Sequence, residues 1–115
     1  MSADQLQTLI REIVLSVREF HQRFGQVGPT TKNELLSRIP IQYEEVQELH
    51  DAILHEGPER VANEATDVLF VAIGTLLRLD PDLAANALAE VIDKNDAKTW
   101  HTHHINAVGK VVRRG

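Results

Sequence analysis

The segment Ile41–Leu54, IQYEEVQELHDAIL, puts two carboxylates where an amphipathic helix puts its apolar side chains. At about 100° per residue, Glu45 falls among Ile41, Leu49 and Ala52, and Glu48 lies about 60° from it. The next stretch repeats the pattern. Glu64 falls among Val61, Val68 and Val71, with Asp67 about 60° away. Burying an unpaired carboxylate is unfavourable, and four together add a repulsion that drives their pKa values up. A hard divalent cation removes both penalties. Mg²⁺ and Mn²⁺ prefer oxygen ligands, and Mg²⁺ keeps positions for water and substrate phosphates. The histidines are not spaced as co-ligands of these acids, which disfavours zinc. The plain alternative is a set of helix-edge acids paired with cations. No Lys or Arg lies between Pro40 and Gly57, and the following segment offers only Arg60 and Arg78. Glu45, Glu48, Glu64 and Asp67 are therefore expected to be metal ligands.

Four helical segments and a tail must position these acids. The first is expected over residues 3–24, with Leu6, Ile10, Ile13, Val17, Phe20 and Phe24 recurring at the helical period and His21 on the edge of that stripe. Residues 25–33, GQVGPTTKN, read as a loop. The second helix includes residues 41–56, with Pro40 either opening it or sitting in the first turn of a longer one. Glu56-Gly57-Pro58 ends it and starts the third helix, which is expected to reach Leu79. Asp80 reads as a cap with Pro81 in the first helical position, and the fourth helix is expected to reach Lys98. Beyond Trp100 the residues show no helical period, His101, His103 and His104 read as exposed or as flexible contacts to substrate, and GKVVRR has the composition of a short strand. The expected fold is all-α: a four-helix, bundle-like domain over residues 1–115 with a short irregular C-terminal tail. The second and third helices, joined by a short turn, would face each other and bring the four acids together.

Composition narrows the function. A chain of 115 residues makes one domain with a modest core. A net charge of −5, with scattered basic residues, argues against a nucleic-acid partner. The chain has no cysteine, which excludes disulfides and thiolate sites and fits a cytoplasmic location. No secretory signal is seen, and the apolar run VLFVAIGTLL is too short to span a membrane. The third helix is apolar on two sides, with Val61, Val68, Val71 and Leu79 on one and Leu69, Phe70, Ile73 and Leu77 on the other. A helix apolar all round is buried all round, so a second copy of the chain is expected against it.

EEVQE at Glu44–Glu48, followed after fifteen residues by EATD at Glu64–Asp67, resembles the EExxE…ExxD motif of the MazG-like all-α nucleoside triphosphate pyrophosphohydrolases. EFHQRFG at Glu19–Gly25, KNDAK at Lys94–Lys98 and GKVVRR near the C-terminus resemble further segments of the phosphoribosyl-ATP pyrophosphohydrolase-like members. Pro40 interrupts the usual approach to the acidic motif. The resemblance implies Mg²⁺-dependent cleavage of a nucleoside triphosphate between the α and β phosphates, serving nucleotide-pool house-cleaning, with phosphoribosyl-ATP as the alternative substrate. It implies Glu44 as the group that orients the attacking water, or else as a further ligand. It implies Asn95 and Lys98 as phosphate or sugar contacts, His21 near the base, and a homodimer or homotetramer. A reading from another class is a metal-stabilised helical interaction module without turnover, which should lose stability only with its metal ligands, whereas an enzyme should need Glu44 and Lys98 for activity beyond folding.

Overall fold

Helix-forming signals in this chain come in the order cap, apolar stripe and breaker, and they yield four helices whose bounds differ in places from the local signals. The structure, a computed structural model, describes residues 2–115. It has helices α1 (Ala3–Arg23), α2 (Lys32–His55), α3 (Pro58–Leu76) and α4 (Pro81–Asp96), then strands β1 (His103–Ile105) and β2 (Val111–Arg113). The fold is all-α with a short C-terminal tail, as expected. The chain forms two compact units, the first ending at Pro81 and the second running Asp82–Gly115. No helix is long and apolar enough to cross a membrane among the described residues.

In the first unit, α1 starts with a capping box in which Ser2 and Gln5 satisfy each other's backbone amides at 3.2 and 2.9 Å. Its inner face carries the fully buried Val17, and Phe20 meets Phe70 of α3 edge to face at 5.4 Å. Helix α2 starts earlier than the sequence suggested, and Pro40 lies inside it rather than near its start. Thr31 is its N-cap and accepts from the Glu34 amide at 3.2 Å. An interior proline costs about 3 kcal/mol; α2 persists because it packs along α3 over much of its length. Gly57 caps α3, with Pro58 at its first turn, and α3 ends at Leu76 rather than Leu79. At the far end, Arg78 pairs with Glu34 and the Arg78 carbonyl accepts from the Thr30 amide at 3.1 Å.

In the second unit, α4 ends at Asp96 rather than Lys98, and an antiparallel hairpin follows. The strand anticipated in GKVVRR is β2; β1 is too short to show a period in sequence. Asn106 Oδ1 accepts from the Val108 and Lys110 amides at 3.1 and 2.9 Å, and Gly109 supplies the positive φ of the turn. Pairing in β1 leaves His103 and His104 half-buried, not exposed as the sequence suggested.

Gly74 of α3 permits a close contact. A Cβ there would lie 2.6 Å from both Arg38 Nη2 and His21 Nε2. Arg38 can move, but His21 keeps only 3% exposure, and its Nδ1 donates to the Gln26 carbonyl at 3.1 Å. Gly74→Ala should therefore lower stability by about 1–3 kcal/mol, outweighing the ~1 kcal/mol that alanine brings to a helix. Denaturant unfolding measures the loss, which should shrink in a His21→Ala background.

Burial, offset in part by the Gln26 carbonyl and reinforced by Arg38 and Arg78, holds the His21 imidazole below its ordinary pKa. The unfolded chain then binds this proton more readily, so stability is full above the ordinary imidazole range and falls as pH drops through it. Thermal unfolding across that range should show the fall, and His21→Gln should flatten it.

Candidate metal centre

The register of α2 against α3 decides which side chains meet. Arg38 and Gln42, one turn apart on α2, both donate across to α3. Arg38 Nε reaches Thr75 Oγ1 at 2.8 Å and its Nη2 reaches the Val71 carbonyl at 3.0 Å; Gln42 Nε2 reaches the Val68 carbonyl at 3.2 Å. At the other end, Glu56 and Gly57 alone connect the helices. Between these fixed points, the next turn of α2 brings Glu45 and Glu48 opposite Glu64.

Each of these three offers a carboxylate oxygen, and the three oxygens lie within 4.8 Å of one another. Glu64 is 4% exposed, Glu45 is half-buried and Glu48 is exposed. Arg60 binds Glu64 Oε1 and also approaches Glu56 at 3.8 Å, so the helix-edge pairing weighed from sequence holds for one oxygen of Glu64. Its Oε2 and the Oε2 of Glu45 are buried without a hydrogen-bond partner. Few native polar atoms are left so. Desolvation first, then the charges of Asp67, Glu44 and Glu64, pushes the Glu45 carboxyl above its ordinary pKa. Desolvation likewise raises Glu64, against Arg60 and together with Glu48 and Asp67. A hard cation fits this set, since it would take the two unpartnered oxygens and cancel the repulsion. A cavity of about 340 Å³, lined by Glu48, Asp51, His55, Glu56, Arg60 and Glu64, opens beside the acids.

Other expected site residues are placed differently. Asp67 is exposed and stands outside the close group, although its charge acts on both Glu45 and Glu64. Glu44 is exposed next to Glu45. His21 is buried against Gly74 rather than open to a ligand. Asn95 and Lys98 belong to the second unit and bind each other, Lys98 Nζ donating to Asn95 Oδ1 at 3.0 Å while Asn95 Nδ2 donates to the Val91 carbonyl at 2.8 Å. Arg38 and Gln42 were not anticipated. Their signal was faint: two long polar side chains one turn apart, just ahead of the acids.

A family model described as phosphoribosyl-ATP pyrophosphohydrolase matches residues 17–95, more than half of the chain and all of the acidic residues above. No curated protein and no solved structure matches it.

The unpartnered oxygens make a sharp test. Glu45→Gln keeps the shape and removes a repelled charge, so it should raise the thermal midpoint of the metal-free protein. It should also abolish the further rise that Mg²⁺ gives the unaltered chain. Thermal unfolding with and without the ion reads both effects. A lower metal-free midpoint would show that the Glu45 charge is not under strain.

Proposed function

We infer, from the fact that this chain belongs to the phosphoribosyl-ATP pyrophosphohydrolase family within the MazG-like all-α superfamily, that it hydrolyses nucleoside triphosphates to the monophosphate and pyrophosphate with Mg²⁺. Family membership makes it a pyrophosphohydrolase acting on a phosphoanhydride. The observation that carries the metal reading is the pair of buried, unpartnered oxygens on Glu45 and Glu64. Glu45, Glu48, Glu64 and Asp67 would hold the ion. Bound there, it would neutralise phosphate oxygens and lower the pKa of a water. Glu44, exposed beside them, orients that water or takes its proton. Lys98 and Asn95 supply the phosphate contact, and His21, expected near the base but buried, would act indirectly by holding the turn at Gln26 through its carbonyl. The family match runs across both compact units, which supports reading the whole chain as one working domain.

A second reading, phosphoribosyl-ATP as substrate, is favoured by the description of the family. Both substrates present the same α–β anhydride. The hairpin lies beyond the matched residues, so the substrate named for the family does not carry over on the match alone. House-cleaning of nucleotide pools remains the proposed role.

Uncovered apolar surface supports a proposal of assembly. Val17 and Ala52 are the buried apolar side chains among the described residues, whereas Leu69 on α3 is 40% exposed and Ile53 and Leu54 on α2 are 62% and 61% exposed. A homodimer or homotetramer is proposed, with α3 in the contact. Light scattering should give at least a dimer for the unaltered chain and a monomer or misfolded protein for Ile73→Glu.

Chromatography of products from NTPs, dNTPs and phosphoribosyl-ATP should show monophosphate and pyrophosphate, lost in EDTA and restored by Mg²⁺ or Mn²⁺. Release of orthophosphate and a diphosphate would refute the cleavage position. Glu44→Gln should lower kcat by about 10²–10⁴-fold, the usual range for general acid–base groups, while keeping the metal-induced thermal shift. Lys98→Ala should weaken substrate binding by roughly tenfold to a hundredfold; unchanged kinetics in a folded variant would remove it from the site.

A further inference from the structure

The hairpin of the second unit borders an open cavity, of whose lining the phosphate reading uses Lys98 at one edge. Its volume is about 190 Å³, and its lining includes Lys98, Trp100, His103, Ile105 and Val111. Strand register builds one wall of it, and His104 and the segment before β1 complete the lining. Ile105 pairs directly with Val111, and His103, two residues back, shares their face of the sheet. Pockets for drug-sized ligands measure about 300–1,000 Å³, so this one has room for a single planar ring system rather than a whole nucleotide. Ile105 and Val111, each about half exposed, make part of its wall apolar, which suits a flat apolar ring face better than a phosphate. Trp100 keeps 69% exposure, leaving its indole face available for stacking.

Polar groups border this apolar wall. Lys98 Nζ spends one of its three donors on Asn95 and keeps two. His103 Nδ1 is hydrogen-bonded to Thr102 Oγ1 at 2.7 Å, so Nε2 remains for a ligand. Burial, with Lys98, Arg113 and His104 around it, holds the His103 imidazole below its ordinary pKa, which favours an uncharged ring. An aromatic platform with a mixed donor and acceptor border is how unstacked bases are held.

We propose that the C-terminal hairpin is a nucleobase-binding pocket with Trp100 as its stacking platform. The ligand class rests on the pyrophosphohydrolase reading; the pocket itself rests on the second unit alone. Base preference would then lie beyond the residues that the family model matches.

Trp100 is the only tryptophan of the chain, so its emission reports on the pocket directly. The full chain, without divalent cation, is titrated with adenosine, guanosine, cytidine and uridine, and with ribose 5-phosphate and pyrophosphate as controls without a base. Saturable quenching by at least one nucleoside and by neither control is expected. No response to any nucleoside, or an equal response to ribose 5-phosphate, overturns the proposal. Nucleosides carry no anhydride, so a chain that fails to hydrolyse nucleotides would still quench. Val111→Phe fills the cavity and leaves Trp100 in place. Quenching should disappear with the circular dichroism unchanged, and quenching that persists refutes the pocket. If that variant misfolds, Trp100→Ala and Trp100→Phe decide through turnover. Alanine should raise KM for the nucleotide about tenfold or more with kcat little changed, and phenylalanine should restore much of it; equal KM values for all three chains overturn the assignment.

Discussion

Two carboxylate oxygens buried without partners set the terms for the first unit of this molecule. Glu45 and Glu64 carry them, and the cost of desolvating both falls on the contact between α2 and α3. The helices would relieve it by sliding or separating, but they are held at both ends. Glu56 and Gly57 hold one end, and the Arg38 and Gln42 hydrogen bonds hold the other. The acids are thus kept close against their own repulsion, an arrangement suited to receiving charge rather than supplying stability.

Charge is also sorted along this helical pair. Arg38, Arg78 and His21 gather toward the open end, and Arg38 itself is pushed below its ordinary pKa by burial and by Arg78. The acids gather toward the connector. Arg60 is the cation that acts on Glu64, and it is more than half exposed and shared with Glu56. Because the strongly held arginines bind Glu34, Thr75 and the Val71 carbonyl, they are not free to neutralise Glu45. Separating most of the cations from the acids leaves Arg60 as the single arginine against a cluster of carboxylates, so the site stays net negative.

Much of this was legible in the sequence, for identifiable reasons. Helical period exposes an acid on an apolar stripe as an anomaly, so Glu45, Glu48 and Glu64 could be picked out before any coordinates. The start of α2 was misjudged because Pro40 reads as a boundary by local rules, whereas tertiary packing carries a helix through it. The correct signal was present: Thr31 followed three residues later by Glu34 is a capping pattern. Arg38 and Gln42 were hidden for a different reason. Long polar side chains reaching a neighbouring backbone look in sequence like a solvated face. Gly74 reads as a mild helix weakness until its neighbours are seen. Strand β1 is three residues long, below what alternation can reveal. His21 was read at the edge of a stripe and proves to be among the least exposed side chains described, since its neighbours close over it only once α1, α2 and α3 meet.

The two-residue link between α2 and α3 has a consequence for how the molecule assembles. Every acid of the proposed metal set lies within one helical hairpin, so the site closes over a short stretch of chain at small entropic cost. Contacts of that kind form early in folding. The repulsion among the acids therefore bears on formation of the hairpin itself, and not only on its later packing against α1.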